Sequence, residues 1–352
     1  MDDDVTLSNV SIYNTSGTSY SSREDIKMYK LAAMILAYIL TMMITVLNGT
    51  VICVLLKSRK DRNRLHFFVL NMACADFLVG AVMMLGYAVE KTVGSWLAET
   101  FFCKVYQACS VLVTCGSNNI LMALSVDRFF AIAIPLKFIK GGTMVHWTLV
   151  SIAWGLTVPY VIIFILYARV FNNGLCDLDL PYISWYAPYF DSAFAVQYLF
   201  PAMVITFCYV GICVIIWRKG KSGLQFSRRA KDITKSSETL ALESNGSRKE
   251  KCVQGGLLPK AKVRSIKLTA IICAAFIICW TPYYVYNFLT VHGLIAPSSG
   301  PTQFMQVLCP LNSVANPVAF IIFNTKMFTC WYKRTGASAS SNLHPNTENE
   351  IV

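Results

Sequence analysis

The stretch from Cys103 to Pro135 constrains the fold of this chain most strongly. As a helix, its 33 residues would be about 50 Å long at about 1.5 Å per residue, which is enough to cross a bilayer and protrude from it. Polar side chains recur along it at spacings of three and four, which predicts a single polar face; they are Gln107, Ser110, Thr114 and Ser117. Lipid offers such a face no hydrogen-bond partners, so we expect it to point into protein or a water-filled cavity.

The composition extends this conclusion to the whole chain. Of its 352 residues, 55% are hydrophobic and 14% are charged, whereas a soluble domain carries roughly 25% charged residues. The mean hydropathy is +0.50. The net charge of +12 does not predict a nucleic-acid partner, because 25 of the 31 Lys and Arg residues fall on one side of the predicted membrane segments. This asymmetry places the basic side in the cytoplasm and predicts a multi-pass protein of the plasma membrane.

The apolar segments predict an all-α membrane protein, a seven-transmembrane helix bundle with its N-terminus outside and its C-terminus inside. The expected helices are 28–57, 66–89, 103–135, 146–167, 194–217, 262–290 and 302–323. Residues 1–27 should form an extracellular tail glycosylated at Asn9 and Asn14, and 168–193 an extracellular loop. The transmembrane domain then covers 28–324, with a flexible cytoplasmic loop at 218–261. Residues 325–352 form the cytoplasmic tail, which opens with a short amphipathic eighth helix.

Two cysteines are placed to form a disulfide. Of thirteen cysteines, only Cys103 and Cys176 fall at the non-cytoplasmic ends of the predicted helices. An oxidising compartment therefore permits one pairing, which joins the third helix to the loop after the fourth. Cys330 lies just after the start of the amphipathic segment on the cytoplasmic side and is a palmitoylation candidate.

Asp76 is the most costly residue to place in the membrane, at least ~2.5–3.5 kcal/mol without partners. Hydroxyl and amide groups on other predicted helices can surround it, namely Asn48, Ser117, Asn312, Ser313 and Asn316. Together with Asp76 they would form a hard oxygen site for a small monovalent cation such as sodium; the alternative is a protonated Asp76 in a hydrogen-bonded cluster without an ion.

A carboxylate and a guanidinium stand side by side at Asp127-Arg128, where the apolar run of the third helix stops. The alternatives for this pair are an ordinary ion pair at the membrane interface and a charge lock that opens when a partner binds.

Prolines interrupt the predicted fifth, sixth and seventh helices at Pro201, Pro282 and Pro317. Each removes a backbone hydrogen bond and kinks its helix, which often does no more than shape packing. Pro282 follows Phe276 and Trp280, a bulky pair four residues apart on one face. A kink beside such a pair predicts a hinge in the sixth helix.

These motifs resemble the rhodopsin-like class of G-protein-coupled receptors, one motif for each helix and in order over about residues 30–335. The residues that carry the resemblance are Asn48 and Val51; Asn71, Ala73, Ala75 and Asp76; Asp127-Arg128-Phe129; Trp154; Pro201 and Tyr209; Phe276, Cys279, Trp280 and Pro282; and Asn312, Ser313, Asn316, Pro317 and Phe320. The resemblance implies an extracellular ligand, an outward swing of the sixth helix, and nucleotide exchange on a heterotrimeric G protein. It also implies arrestin, a receptor kinase and membrane lipids as partners, and no catalysis.

The chain departs from the family pattern at four positions. Phe129 replaces a tyrosine, and Phe320 replaces the tyrosine thought to share a bridging water with Tyr209 in the active state. Lys262 stands where many members have a glutamate that pairs with the arginine, so Arg128 should be held mainly by Asp127. Asn118 takes a position that is usually apolar.

The resemblance also narrows the ligand. Amine receptors carry an aspartate where this chain has Ser110, and opsins carry a lysine where it has Pro310. The segment 260–285 is similar to vasopressin, oxytocin and gonadotropin-releasing-hormone type receptors, which favours a neuropeptide or peptide hormone. The expected pocket residues are Gln107, Ser110, Tyr283, Tyr284, Asn287 and Gln306, with ordinary helix packing as the alternative for each. On the outer side, 10 acidic residues against 6 basic ones favour a neutral or basic peptide.

Other functions fit the sequence less well. A receptor for a non-peptide ligand, or one that has lost signalling, remains an alternative because of Phe320 and Asn118. A channel or transporter would need charged residues through both halves of its path, and the cores of helices four to seven contain none. A membrane hydrolase would need a metal set or a nucleophile–base pair, and we expect no histidine to cluster with acids; the four are His66, His146, His292 and His344.

Overall fold

The protein is described by a computed structural model covering residues 23–57, 64–135, 144–180, 185–218, 260–295 and 305–331. Within these ranges, seven helices are long and apolar enough to cross a membrane, as predicted. They are α1 (Arg23–Lys57), α2 (Arg64–Val93), α3 (Thr100–Ala133), α4 (Met144–Tyr167), α5 (Ala187–Arg218), α6 (Lys260–Val291) and α7 (Met305–Phe323). The expected eighth helix, α8, covers 325–331. The predicted sequons at Asn9 and Asn14, and most of the loop 218–261, lie outside the described residues.

Helix α3 occupies the centre of the bundle. It contacts α2, α4, α5, α6 and the extracellular strands described below. Its most apolar window is 67% buried, against 56% or less in the other six helices. Because lipid tails are as apolar as leucine, close packing and hydrogen bonds between helices have to hold such a bundle together. The central position explains why α3 carries more of the buried polar residues than any other helix in the described part of the chain.

Small residues allow the helices to approach closely. A Cβ added at Gly116 of α3 would lie 2.4 Å from Cζ3 of Trp154 on α4. A Cβ at Gly86 of α2 would lie 2.3 Å from the ring of Tyr106 on α3. Both glycines therefore leave room for an aromatic ring from the neighbouring helix, a common means of packing in membrane bundles.

Turns interrupt two of the helices at or beside prolines. In α4 a turn at 156–157 separates Met144–Gly155 from Val158–Tyr167, with Pro159 in the first turn of the second part. In α7 a turn at 309–310 precedes the regular helix Leu311–Phe323, and the described span Met305–Phe323 lies within the predicted 302–323. Pro310 has no backbone N–H to donate, which favours a helix start directly after it.

The predicted extracellular loop 168–193 contains a short hairpin and the start of α5. Strand β1 (Ala168–Val170) pairs antiparallel with β2 (Cys176–Leu178), with Val170 opposite Cys176. Gly174 permits the turn between them, because it adopts a φ of 78° in the left-handed region. Helix α5 begins at Ala187, earlier than the expected 194, with a proline in its first turn, where a missing N–H costs nothing.

Candidate ligand cavity and cytoplasmic switch

The extracellular hairpin is tied to the top of α3. Cys103 and Cys176 form a disulfide with a Cα–Cα distance of 5.6 Å, which confirms the predicted pairing. One helical turn further along α3, Gln107 Nε2 donates a hydrogen bond of 2.8 Å to the carbonyl oxygen of Cys176. The two links hold β2 over the outer end of the bundle.

Beneath β2 lies a cavity of about 400 Å³. All four residues of the predicted polar face of α3 line it: Gln107, Ser110, Thr114 and Ser117. Five of the six expected pocket residues do so as well, namely Gln107, Ser110, Tyr283, Tyr284 and Gln306. Asn287 is not among the lining residues, because its amide turns back to the carbonyl oxygen of Tyr283 at 2.8 Å. The polar face of α3 therefore points into a cavity and not into lipid.

Aromatic rings of α6 line one side of the cavity, and Tyr198 of α5 packs against them without lining it. The rings of Tyr198 and Tyr284 stack with their centroids 4.8 Å apart, and the indole of Trp280 lies 5.7 Å from Tyr284. Trp280 is 8% exposed, and its Nε1 donates to no described residue. Fully buried Phe276 lies one turn below it, as the predicted aromatic pair of α6 requires. Such rings offer a ligand large apolar faces with a few polar edges.

The sequence prediction missed several residues that line this cavity. Gln197 of α5 is buried and links helices, since its Oε1 accepts from Asn119 Nδ2 at 3.3 Å and its Nε2 donates to the carbonyl oxygen of Leu156 at 3.2 Å. Charged residues missed at the outer end are Glu90, Lys91 and Asp177. Glu90-Lys91 ends an apolar run in the sequence, where such a pair usually marks the membrane surface. Only the fold of the hairpin brings Asp177 beside it.

Asp177 occupies an unusual position for a loop carboxylate. Burial raises the pKa of the Asp177 carboxyl above its ordinary range, while the backbone N–H of Leu178 and the ammonium of Lys91 lower it. The N–H of Leu178 reaches Asp177 Oδ1 at 2.7 Å. The carboxyl is thus held at the cavity mouth, where the residue remains exposed to solvent.

Below the cavity, Asp76 collects hydrogen bonds from three residues. Its Oδ1 accepts from Ser117 Oγ and from Ser313 Oγ, both at 2.7 Å, and its Oδ2 accepts from Asn316 Nδ2 at 2.8 Å. The carboxylate is 0% exposed. Asn312, which we expected beside it, instead donates through Nδ2 to Asn118 Oδ1 at 3.4 Å. This bond gives Asn118 a polar partner in an otherwise apolar region.

The oxygen atoms of this cluster fit a small hard cation. Ser117 and Ser313 each present a hydroxyl oxygen beside the Asp76 carboxylate, and Ser117 and Ser313 also line the cavity above. The Oδ1 atoms of Asn312 and Asn316 are buried and accept from no described residue. Carboxylate, hydroxyl and amide oxygens are the ligands that hard cations prefer. No group of three His, Cys, Asp or Glu side chains suited to a transition metal occurs in the described part of the chain.

At the cytoplasmic end, Arg128 has two polar partners among the residues that the structure describes. Its Nη2 lies 2.6 Å from Oδ2 of the fully buried Asp127, as the sequence predicted. Its Nη1 also donates to Ser265 Oγ on α6 at 3.1 Å, a contact that the sequence prediction missed. The position of the Lys262 side chain lies outside the described residues. Asp127 and Arg128 are neighbours on α3, so Ser265 is the partner that links Arg128 to another helix.

The other predicted switch residues lie in the core of the bundle or inside its helices. Phe320 is fully buried and packs edge-on against His66 and Phe328, with centroids 6.0 and 6.1 Å away. Tyr209 packs against the core that contains Phe276 and Phe320. Pro282 and Pro317 lie inside α6 and α7, as predicted. Cys330 is exposed on α8, where palmitoylation remains a prediction.

One expectation about histidine is wrong. His292, at the outer end of α6, contacts Asp191 Oδ1 of α5 through Nε2 at 2.9 Å. The pair is partly exposed at the end of the bundle and does not line the cavity. It adds a link between α5 and α6 at the outer surface.

Comparison with known proteins agrees with this architecture. The sequence profile described as "7 transmembrane receptor (rhodopsin family)" matches residues 47–320. The chain is 29% identical to the neuropeptide S receptor of Rattus norvegicus over 88% of its own length and 79% of that protein. It is 26% identical to the mesotocin receptor of Rhinella marina, over 91% and 82% of the two chains, and 26% identical to the vasopressin V1b receptor of Mus musculus, over 80% and 69%.

The chain therefore belongs to the rhodopsin family of seven-transmembrane receptors. It is a G-protein-coupled receptor of the plasma membrane and not an enzyme.

Proposed function

We infer that this receptor binds an extracellular peptide in the cavity beneath β2 and activates a heterotrimeric G protein through the region around Asp127-Arg128-Phe129. The observation that carries the inference is the cavity itself, which has a volume of about 400 Å³ and is lined by amide, hydroxyl and aromatic side chains. Amides and hydroxyls suit a peptide backbone, and the rings of Trp280, Tyr283 and Tyr284 suit apolar side chains. The relatives named for neuropeptide S, mesotocin and vasopressin support the same class of ligand.

A peptide-library screen tests this proposal. Cells that express the receptor with promiscuous G proteins are exposed to synthetic peptides, and calcium release is recorded. We expect at least one peptide to act, and Arg128→Ala to abolish its response with surface display preserved. Silence with every peptide, despite good display, would favour a non-peptide ligand or a receptor that has lost signalling. A ligand-gated current in place of calcium signalling would favour an ion-conducting protein.

A matched pair of variants tests where the peptide binds. Gln306 is an exposed residue of the cavity lining, so Gln306→Ala should lower peptide potency without disturbing the bundle. Asn287 lies on α6 but bonds its own helix outside the cavity lining, so Asn287→Ala should leave potency unchanged. Equal effects of the two variants would place the ligand elsewhere.

The polar cluster at Asp76 leads to a second part of the proposal, a sodium ion as an allosteric ligand. Asp76, Ser117 and Asn316 would hold it, with Asn312 supplying a further amide oxygen from the next turn of α7. A cation would balance the buried carboxylate, which otherwise carries its charge into the bundle interior or binds a proton.

Thermal unfolding of the purified, ligand-free receptor tests for the ion. Replacing choline with sodium at constant ionic strength should raise the melting temperature, since a ligand at about ten times its Kd stabilises by about 1.4 kcal/mol. Asp76→Asn should remove this increase. Ser125→Ala, a buried serine of α3 that bonds the carbonyl oxygen of Leu121, is the control and should retain it. A sodium effect of equal size in Asp76→Asn would exclude this site.

A further inference from the structure

We propose that the outer end of the cavity, between Glu90 and Asp177, binds a cationic group of the ligand, a guanidinium or an ammonium. The inference rests on the proposed function, because it names the chemistry that a peptide would present to this cavity. Glu90 comes from the last turn of α2 and Asp177 from β2, and both line the cavity. The hairpin thus brings together two carboxylates that are far apart in the sequence.

The first step in the argument is the state of Glu90. Its residue is only 8% exposed, yet its carboxylate accepts no hydrogen bond from the described residues. Its ion pair is a long one, 3.9 Å from Lys91 Nζ to Glu90 Oε1. A buried carboxylate is costly unless it is paired and hydrogen-bonded. Among the described residues, Glu90 therefore has only this long ion pair, and it lines the cavity.

The second step is the charge balance of the cavity lining. Its charged residues, within the described ranges, are Glu90, Lys91 and Asp177, so two carboxylates share one ammonium. Lys91 is also drawn toward the ring of Tyr87, whose centroid lies 5.2 Å from Nζ. A net negative end of a cavity attracts a cation and repels an anion.

The third step is that two basic residues near the hairpin are engaged elsewhere. Lys104 Nζ donates to the carbonyl oxygen of Leu166 at 3.0 Å, and Arg169 pairs with Asp179 at 2.7 Å. The outer segments 181–184 and 296–304, which lie outside the described residues, contain no Lys or Arg in their sequence. The protein thus offers Asp177 and Glu90 no second cation from these parts of the chain.

The surroundings also suit a cation. The rings of Tyr87 and Tyr106 line the same end of the cavity, and a cation over such a ring is stabilised by its quadrupole. The buried hydroxyl of Tyr87 has no hydrogen-bond partner among the described residues and could accept from a guanidinium or ammonium. A guanidinium has enough donors to reach both carboxylates at once.

One test needs no peptide. Gln306→Cys places a thiol in the cavity lining, and its reaction rates with a cationic and an anionic methanethiosulfonate reagent are compared by mass spectrometry. At a separation of about 10 Å between the carboxylate and the charge of the reagent, and at the dielectric constant of water, the interaction is about 0.4 kcal/mol and has opposite sign for the two reagents. Neutralising one carboxylate should therefore lower the cation-to-anion rate ratio about fourfold. We therefore expect Glu90→Gln and Asp177→Asn each to lower the ratio. Asp179→Asn is the control, because Asp179 is on the hairpin side but outside the cavity lining and paired with Arg169. An unchanged ratio in both cavity variants overturns the proposal.

A second test uses the peptides found active in the screen. Each is synthesised again with arginine replaced by citrulline, lysine by norleucine, or the amino terminus acetylated, which identifies the cation involved. One of these changes should reduce potency at least about tenfold on the wild-type receptor and much less on Glu90→Gln. Peptides that keep their potency after all three changes overturn the cation subsite but leave the proposed function intact. If no peptide acts, the proposed function fails, and the thiol reagents alone decide whether this end of the cavity selects cations.

Discussion

Ser265 is the residue whose substitution we expect to change basal signalling most informatively. The hydrogen bond from Arg128 Nη1 to Ser265 Oγ is 3.1 Å long and joins α3 to α6 at their cytoplasmic ends. The ion pair of Arg128 with Asp127 lies within α3, so it cannot hold α6 in place. Ser265→Ala therefore removes a polar restraint on the outward movement of α6 that the receptor family implies.

The expected magnitude follows from the environment of this bond. A hydrogen bond to a charged group contributes about 1.5–3 kcal/mol. The side chain of Arg128 is 14% exposed, so water competes for it and the lower figure applies. About 1.4 kcal/mol corresponds to a tenfold change in an equilibrium. If the open state has a population of about 1%, its population in Ser265→Ala rises to about 10%.

The assay is ligand-independent nucleotide exchange on a heterotrimeric G protein in membranes with matched receptor amounts. Basal exchange by Ser265→Ala should exceed that of the wild type several-fold. Ser265→Thr keeps the hydroxyl and should resemble the wild type. Basal exchange by Ser265→Ala at or below the wild-type rate would refute the reasoning, because Ser265 would then not restrain α6.

Three other substitutions test different parts of the account. Cys176→Ser removes the disulfide to Cys103, a bond that typically contributes about 2–4 kcal/mol, and releases β2 from the top of α3. Peptide potency in calcium assays should fall at least about tenfold, and unchanged potency would contradict a role of β2 in shaping the ligand cavity. Gly116→Ala places a methyl group 2.4 Å from the Trp154 ring and should lower the melting temperature by several degrees, since overpacking costs about 1–3 kcal/mol. Gly155→Ala is the control and should leave the melting temperature unchanged, because no described atom lies within 4 Å of the added Cβ; equal effects of the two variants would contradict the packing argument. Phe320→Tyr adds a hydroxyl to a fully buried ring, which destabilises the present packing by about 1–3 kcal/mol and offers Tyr209 a hydrogen-bond partner. Maximal ligand-stimulated nucleotide exchange should therefore rise, and a fall would show that Phe320 does not limit the active state.

The membrane architecture follows from the sequence because lipid imposes simple constraints. Length and apolarity define the seven helices, and the rule that polar groups avoid lipid places Gln107, Ser110, Thr114 and Ser117 in a cavity. The same rule predicts the hydrogen bonds that Asp76 receives from Ser117, Ser313 and Asn316. The disulfide follows from topology, since Cys103 and Cys176 are the cysteines on the outer side.

Features that depend on rotation and register do not follow in this way. Asn312 and Asn316 are four residues apart on α7, yet one bonds Asn118 and the other Asp76, a difference set by how α7 is rotated against α3. The contact of Arg128 with Ser265 depends on the register of α6 against α3. The presence of Glu90 and Asp177 in the lining of one cavity depends on a short hairpin, and the turn of this hairpin gives only a weak signal in the sequence.

Peptide-stimulated nucleotide exchange by the purified receptor in lipid nanodiscs, with a purified heterotrimeric G protein, tests the central claim most directly. A peptide from the screen should accelerate exchange on the wild-type receptor and not on Arg128→Ala, while both receptors bind the peptide with similar affinity. Acceleration that persists in Arg128→Ala would contradict coupling through the Asp127-Arg128-Phe129 region. Saturable peptide binding to the wild-type receptor without any acceleration would contradict the claim that this receptor signals.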